Sequence, residues 1–261
     1  MTASVVSDGA RLDETQQHAL SSAIIAGARA VVDAEGQLTS WDEISGDGDC
    51  GTTLEAGARA ILEDVPTYPL ASPAAVARAV SSSLEHSMGG ESGARAASPL
   101  LAISSLVWTV ALRPSLLTRS LLPDPLCRTP GSSGALYSIF LNALAATLAP
   151  AAIITPKLAA EAFAAGVYAI SKYGGAKAGH RTMLDALIPA AAAMEAASCG
   201  TMTAMLRAGA DAATAGAEAT KMMQASAGRA SYVPFDKMKH VPDPGAMAVA
   251  IWLTAAVGAS K

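Results

Sequence analysis

Apolar side chains recur at three- and four-residue spacing along most of the chain, and breakers interrupt the rows. That spacing lines one face of a helix, whereas a half-buried strand needs strict alternation. Eight stretches carry it. The first spans 12–34, with Leu20, Ile24, Ile25, Ala28, Val31 and Val32 on one side. The others span 52–64, 73–88, 133–149, 155–173, 182–197, 201–227 and 244–257. Thr155 reads as an N-cap, with Pro156 at the first helical position and Gly174 beyond the end. No convincing alternating strand is present. The expected class is all-α. Composition agrees, because only 4% of residues are aromatic while straight-chain and small residues, which keep their rotamers in a helix, abound.

Mostly short connections make consecutive helices antiparallel neighbours, so alternate connections share one end of the bundle. The connections 65–72, 150–154 and 198–200 are bland. The others are not. WDEISGDGDCGT fills 41–52, SMGG ends at Gly90, GSSGA fills 131–135, YGGAKAGHRT fills 173–182, and AGRASYVPFDKMKHVPDPGA fills 227–246. Glycines and unusual polar groups therefore gather at one end, which reads as a site built on loops over a rigid scaffold.

Several classes are excluded. A net charge of −4, with 15% charged residues and no basic block, makes a poor nucleic-acid binder. Cys50, Cys127 and Cys199 are too far apart for a disulfide framework or a zinc pattern, so a reducing compartment is the default. The first nine residues lack the basic and apolar regions of a secretory signal. The most apolar run, LLAISSLVWTVAL at 100–112, is shorter than the roughly 20 residues a membrane helix needs. The expected location is cytoplasmic, with no membrane partner.

Asp42, Asp47 and Asp49 crowd one short segment, DEISGDGD. Carboxylates this close repel one another, and a hard divalent cation such as Mg²⁺ relieves the repulsion. A solvated acidic turn is the alternative, since Asp and Gly are common turn formers. Thr52 and Thr53 follow as helix caps whose hydroxyls and N–H groups would face an anion. GSSGA places two hydroxyls and two glycines at a helix start, either a phosphate cradle or an ordinary serine cap. Lys177, Arg181 and Arg229 supply cations; for Arg229 the alternatives are polyphosphate neutralisation and a surface ion pair. Asp243-Pro244 also reads as a helix cap. No Walker A pattern, no strand-borne GxGxxG and no assignable Ser/His/Asp triad occurs.

Taken together and in order, GDGDCGTT, SSGALYSIFLNALA, GGAKAGHRTMLDALIPA, ATKMMQASAGRASYV and PDPGA resemble the nucleotide-binding (L) domain of dihydroxyacetone kinases, above all the C-terminal domain of the single-chain ATP-dependent eukaryotic enzymes. The resemblance covers nearly the whole chain. It implies an eight-helix antiparallel up-and-down barrel. It implies that Asp42, Asp47 and Asp49 hold two Mg²⁺ ions bridging the phosphates of ATP, or of ADP. It implies a nucleotide site lined by Cys50, Thr52, Thr53, Gly90, Ser132, Ser133, Arg229 and Asp243, with Gly175, Met183 and Leu184 where the adenine is held. It implies γ-phosphoryl transfer to dihydroxyacetone or glyceraldehyde, with Asp42, Asp47, Asp49 and Arg229 as the catalytic set. Related alternatives are a phosphotransferase-dependent subunit carrying permanent ADP, a flavin-cyclising activity, and a non-catalytic remnant.

Three departures from the family pattern stand out. His180 replaces the aspartate of a GDRT motif, which predicts a weakened start of the following helix or perturbed adenine binding. The family's SMGGSSGALY is split after Gly90, so residues 91–131 are 41 extra residues, containing Pro99, Pro114, Pro123, Pro125 and Pro130. A structureless loop of that length does not suit a compact domain, so the segment reads as a translated intron or gene-model artefact, or as a lineage-specific insertion. The whole of 1–261 is otherwise one domain. Finally, nothing corresponds to the K domain that binds the triose, so the chain is expected to act with such a domain in cis or in trans, a homodimer being one option. Alone it is expected to bind Mg-ATP without efficient triose phosphorylation.

Overall fold

A computed structural model describes residues 9–88 and 132–259. Among them the regular structure is entirely helical: α1 (Glu14–Asp33), α2 (Glu35–Ser45), α3 (Cys50–Asp64), α4 (Pro73–Ser87), α5 (Ser132–Leu148), α6 (Pro156–Gly174), α7 (Leu184–Ala196), α8 (Met202–Ala219), the single turn α9 (Phe235–Met238), and α10 (Pro244–Ala259). No helix among them is long and apolar enough to cross a membrane. Gly90 and the expected insertion at 91–131 lie outside the described residues.

Local chemistry sets most helix starts. Asp13 accepts the Gln16 N–H while the Gln16 side chain accepts the Asp13 N–H, a reciprocal capping box opening α1. Ser72, Thr155 and Thr201 each accept the N–H three residues on, opening α4, α6 and α8. Gly174 is the last residue of α6 rather than beyond it; the left-handed cap is Gly175, with φ 73°.

Each long helix packs on the next, in the order α1, α3, α4, α5, α6, α7, α8, α10, and α10 returns to α1. The result is a closed ring of eight helices. An apolar cavity of about 430 Å³ lies inside it, and every ring helix contributes to the wall, among them Val31, Leu54, Leu84, Phe140, Met194 and Trp252. Helices α7 and α8 approach closely. Pro189 inside α7 cannot bond to the carbonyl of Asp185. Gly216 of α8 packs there; a Cβ on it would lie 2.1 Å from that oxygen.

Contacts at the chain start fix one end of the ring. The Leu12 N–H donates to the Ala71 oxygen, and a Cβ on Gly9 would lie 2.7 Å from the Ala149 oxygen. The second and fourth connections thus meet at one end. At the opposite end Arg229 pairs with Asp47, and the Ser226 N–H donates to the His180 oxygen. Those contacts join the first, fifth and seventh connections.

Two expectations are corrected. Residues 41–45 are helical, not loop: α2 lies across the site end, packed on α3 and α10, with Leu38 fully buried. The helix expected over 201–227 ends at Ala219, because the Thr220 hydroxyl is drawn into bonds to the Ala217 oxygen and the Asp243 N–H.

Candidate active site at the rim of the ring

The site begins at the joint between α2 and α3. Asp42, in the last turns of α2, is only 8% exposed. Its Oδ2 accepts the N–H groups of Asp49 and Cys50, both at 3.0 Å, and so closes the N-terminus of α3. Asp42 can reach back because the chain folds sharply between the two helices. Gly48 takes φ 77°, and a Cβ on Gly46 would lie 2.3 Å from Asp42 Oδ1. Thr52 and Thr53 therefore lie in the first turn of α3 rather than capping it. The Thr52 hydroxyl donates to the Asp49 oxygen at 3.0 Å.

Carboxylate oxygens of Asp42, Asp47 and Asp49 come within 4.8 Å of one another, with Asp42 buried and the other two exposed. Behind them, burial pushes the Cys50 thiol up to about 12, helped by the charges of Asp42, Asp243 and Asp49. Cys50 is thus held as a neutral thiol beneath the acidic turn.

The seventh connection supplies the facing side. After Gly228, with φ 68°, the turn Arg229–Tyr232 presents Arg229, which pairs with Asp47. Asp243 is 9% exposed; its Oδ2 accepts the Ala246 N–H at 2.8 Å and caps α10. Burial pushes the Asp243 carboxyl up to about 6, against the pull of that hydrogen bond and of Arg181.

The fifth connection divides its residues between surface and interior. Gly175 and Lys177 are exposed. Arg181 is 1% exposed, with φ 60°, and its Nη2 donates to the Val241 oxygen at 2.9 Å. Its Nε and Nη1 are buried without a hydrogen-bond partner among the described residues, and burial lowers its pKa. Met183 and Leu184 stand in the wall of the core, 8% and 1% exposed. Ser132 and Ser133 open α5, and Ser133 is half-buried. The α4 and α5 ends meet here, since a Cβ on Gly134 would lie 2.8 Å from the Met88 Cβ.

Sequence reasoning missed Asp185. Its two oxygens accept the N–H groups of Gly179 and Thr182, at 2.5 and 2.8 Å, fastening the whole glycine loop. The start of α7 is therefore held by Asp185, with the Thr182 hydroxyl accepting the Leu184 N–H. His180, which stands where the family pattern has aspartate, accepts the Lys177 N–H through Nδ1. For Asp185 the available signal was its spacing of three residues from Thr182, as at a capped helix start.

A family model described as the DAK2 domain matches residues 44–108 and 125–258. The chain belongs to the DAK2 domain family. The gap between the two matched stretches, 109–124, falls inside the expected insertion, while the match takes in 91–108 and 125–131 of it. Among relatives, the protein named "Putative 3,4-dihydroxy-2-butanone kinase" of Solanum lycopersicum is 42% identical over 251 residues, covering 94% of this chain and 35% of that protein. The Homo sapiens triokinase/FMN cyclase is 37% identical over 224 residues, covering 85% and 31%. The dihydroxyacetone kinase of C. freundii, solved with AMP-PNP and Mg²⁺, aligns over 99% of this chain and 36% of its own, with TM-score 0.61 and 25% identity. The chain thus spans about a third of the length of the relatives it matches.

Proposed function

We propose that this chain is the ATP-binding part of a dihydroxyacetone kinase, passing the γ-phosphoryl group to dihydroxyacetone or glyceraldehyde held by a separate domain in cis or in trans. The observation that carries the reading is the convergence of Asp42, Asp47 and Asp49 at the start of α3, in a chain of the DAK2 family. A three-carboxylate oxygen set suits Mg²⁺, which binds through carboxylates and substrate phosphates. Asp42, Asp47 and Asp49 would hold two such ions, and magnesium bound there neutralises charge on the phosphate oxygens.

The protein's own groups do the positioning. The first turn of α3, with Thr52 and Thr53, and the start of α5, with Ser132 and Ser133, direct helix N-termini at the phosphates. Arg229 adds an exposed positive charge. Gly175, at the exposed mouth of the glycine loop, leaves room for the adenine, with Met183 and Leu184 as the apolar floor. Asp243 stands at the N-terminus of α10 behind the acidic turn. Phosphoryl transfer rests on placement and charge neutralisation more than on covalent chemistry, which is what such a rim provides.

Titrating Mg-ATP while following the melting temperature tests the reading. Saturable binding raises the midpoint by mass action in the wild type. Asp47→Ala and Asp49→Ala are expected to abolish the rise. No shift in the wild type at millimolar nucleotide would establish the inert remnant instead.

A further inference from the structure

The acidic turn already touches a cation of the protein's own. Arg229 Nη1 pairs with Asp47 Oδ2, and the two side chains are 68% and 39% exposed. Both partners ride on glycine turns. Asp47 lies beside Gly48, with φ 77°, and Arg229 follows Gly228, with φ 68° and open space where a Cβ would sit. Asp42 is differently placed, because one of its oxygens is committed to the amides of Asp49 and Cys50. Like charges within 4.8 Å of one another need a counterion, and the Arg229 guanidinium is in contact with one of them, Asp47.

A divalent cation and a guanidinium cannot both take full use of the same Asp47 oxygen. We propose that Arg229 is a displaceable internal counterion: it occupies Asp47 while the site is empty, yields that carboxylate to a divalent cation, and then turns its freed guanidinium to the anionic tail of the nucleotide. The inference rests on the metal and nucleotide reading above and adds an exchange of partners to it. It also makes a prediction of opposite signs. Removing Arg229 removes a competitor when the metal is alone, and removes a phosphate partner when the nucleotide is present. A residue that only braced the loop would weaken both.

The test uses the full chain with Arg229→Gln and Arg229→Lys, both at an exposed position. Mn²⁺ alone is titrated by the electron paramagnetic resonance of the free ion, and Mg-ATP by calorimetry. Arg229→Gln is expected to bind Mn²⁺ about two- to fivefold more tightly than wild type, the scale of one exposed ion pair. The same variant is expected to bind Mg-ATP about tenfold more weakly, the scale of one charge-assisted hydrogen bond. Arg229→Lys should fall between on both axes. Unchanged or weaker Mn²⁺ binding by Arg229→Gln, beside clear binding by the wild type, overturns the exchange and leaves the metal reading standing. Tighter Mn²⁺ with unchanged Mg-ATP overturns the second half of the exchange. If the wild type binds no Mn²⁺ at all, the metal reading fails and takes this inference with it.

Discussion

At the site end of the ring, Gly48, Gly175, Gly179, Arg181, Gly228 and His240 take positive φ angles; the opposite connections, 65–72, 149–155 and 197–201, contain no such residue. The caps differ as well. Ser72, Thr155 and Thr201 each serve an N–H three residues away, an arrangement any isolated helix can use. Asp42 reaches seven and eight residues along the chain, and Asp185 reaches back six. One end is therefore closed by local chemistry in relaxed backbone. The other is closed by buried carboxylates that pull strained loops into place, the kind of strain that gathers at functional sites.

The sharpest way to test that contrast is Asp243, a carboxylate of the site end that is 9% exposed and caps α10. Its folded-state titration near 6, against 3.8 when free, corresponds to roughly 3 kcal/mol. Because the folded form holds the proton more tightly, this contribution is fully present below pH 3.8 and lost as pH rises through about 6. Denaturant unfolding from pH 4 to 7.5 should therefore show the wild type losing stability relative to Asp243→Asn, which keeps an acceptor for the Ala246 N–H. A constant difference across that range would erase the distinction.

Next in size is Asp185→Ala. It strips two amides of their acceptor at once, so a loss of about 2–3 kcal/mol is expected in urea melts. Thr201→Ala at the quiet end removes one local cap and should cost about 1 kcal/mol. Equal losses would mean that the two ends are not built differently. Gly175→Ala, at a left-handed position with open space around it, should also cost about 1 kcal/mol, from backbone strain alone. The smallest effect has the other sign. Gly36 is exposed in α2 with nothing near its Cβ position, so Gly36→Ala should stabilise by about 0.5 kcal/mol.

What could be read from the residues follows the same division. The starts of α4, α6 and α8 were legible because each cap and its amide lie within one turn. Helix α2 was not, since its acidic and glycine neighbours look like loop. It is held by buried Leu38 and by Gly51, where a Cβ would lie 2.2 Å from Thr39 Oγ1. The end of α8 was misjudged because the apolar row continues through Met222 and Met223, while the group that stops the helix, Thr220, is bonded to Asp243, 23 residues away. From the sequence Arg181 is a cation in a glycine loop and no more; only the folded chain shows it buried. The aspartate trio was visible as a composition, but that Asp42 is buried and committed to two amides while Asp47 and Asp49 are exposed was not.

That last difference has a consequence for descent. Asp42 serves the closing of α3 whether or not any ligand is ever met. The Asp47 side chain pairs with an exposed arginine of another loop, and Asp49, the N-cap residue of α3, makes no side-chain cap bond. In a copy of this gene drifting away from nucleotide use, positions 47 and 49 can change first with little harm to folding, while position 42 stays under selection for the joint alone. A lone aspartate at 42 in such a copy would be a relic of architecture, not of chemistry.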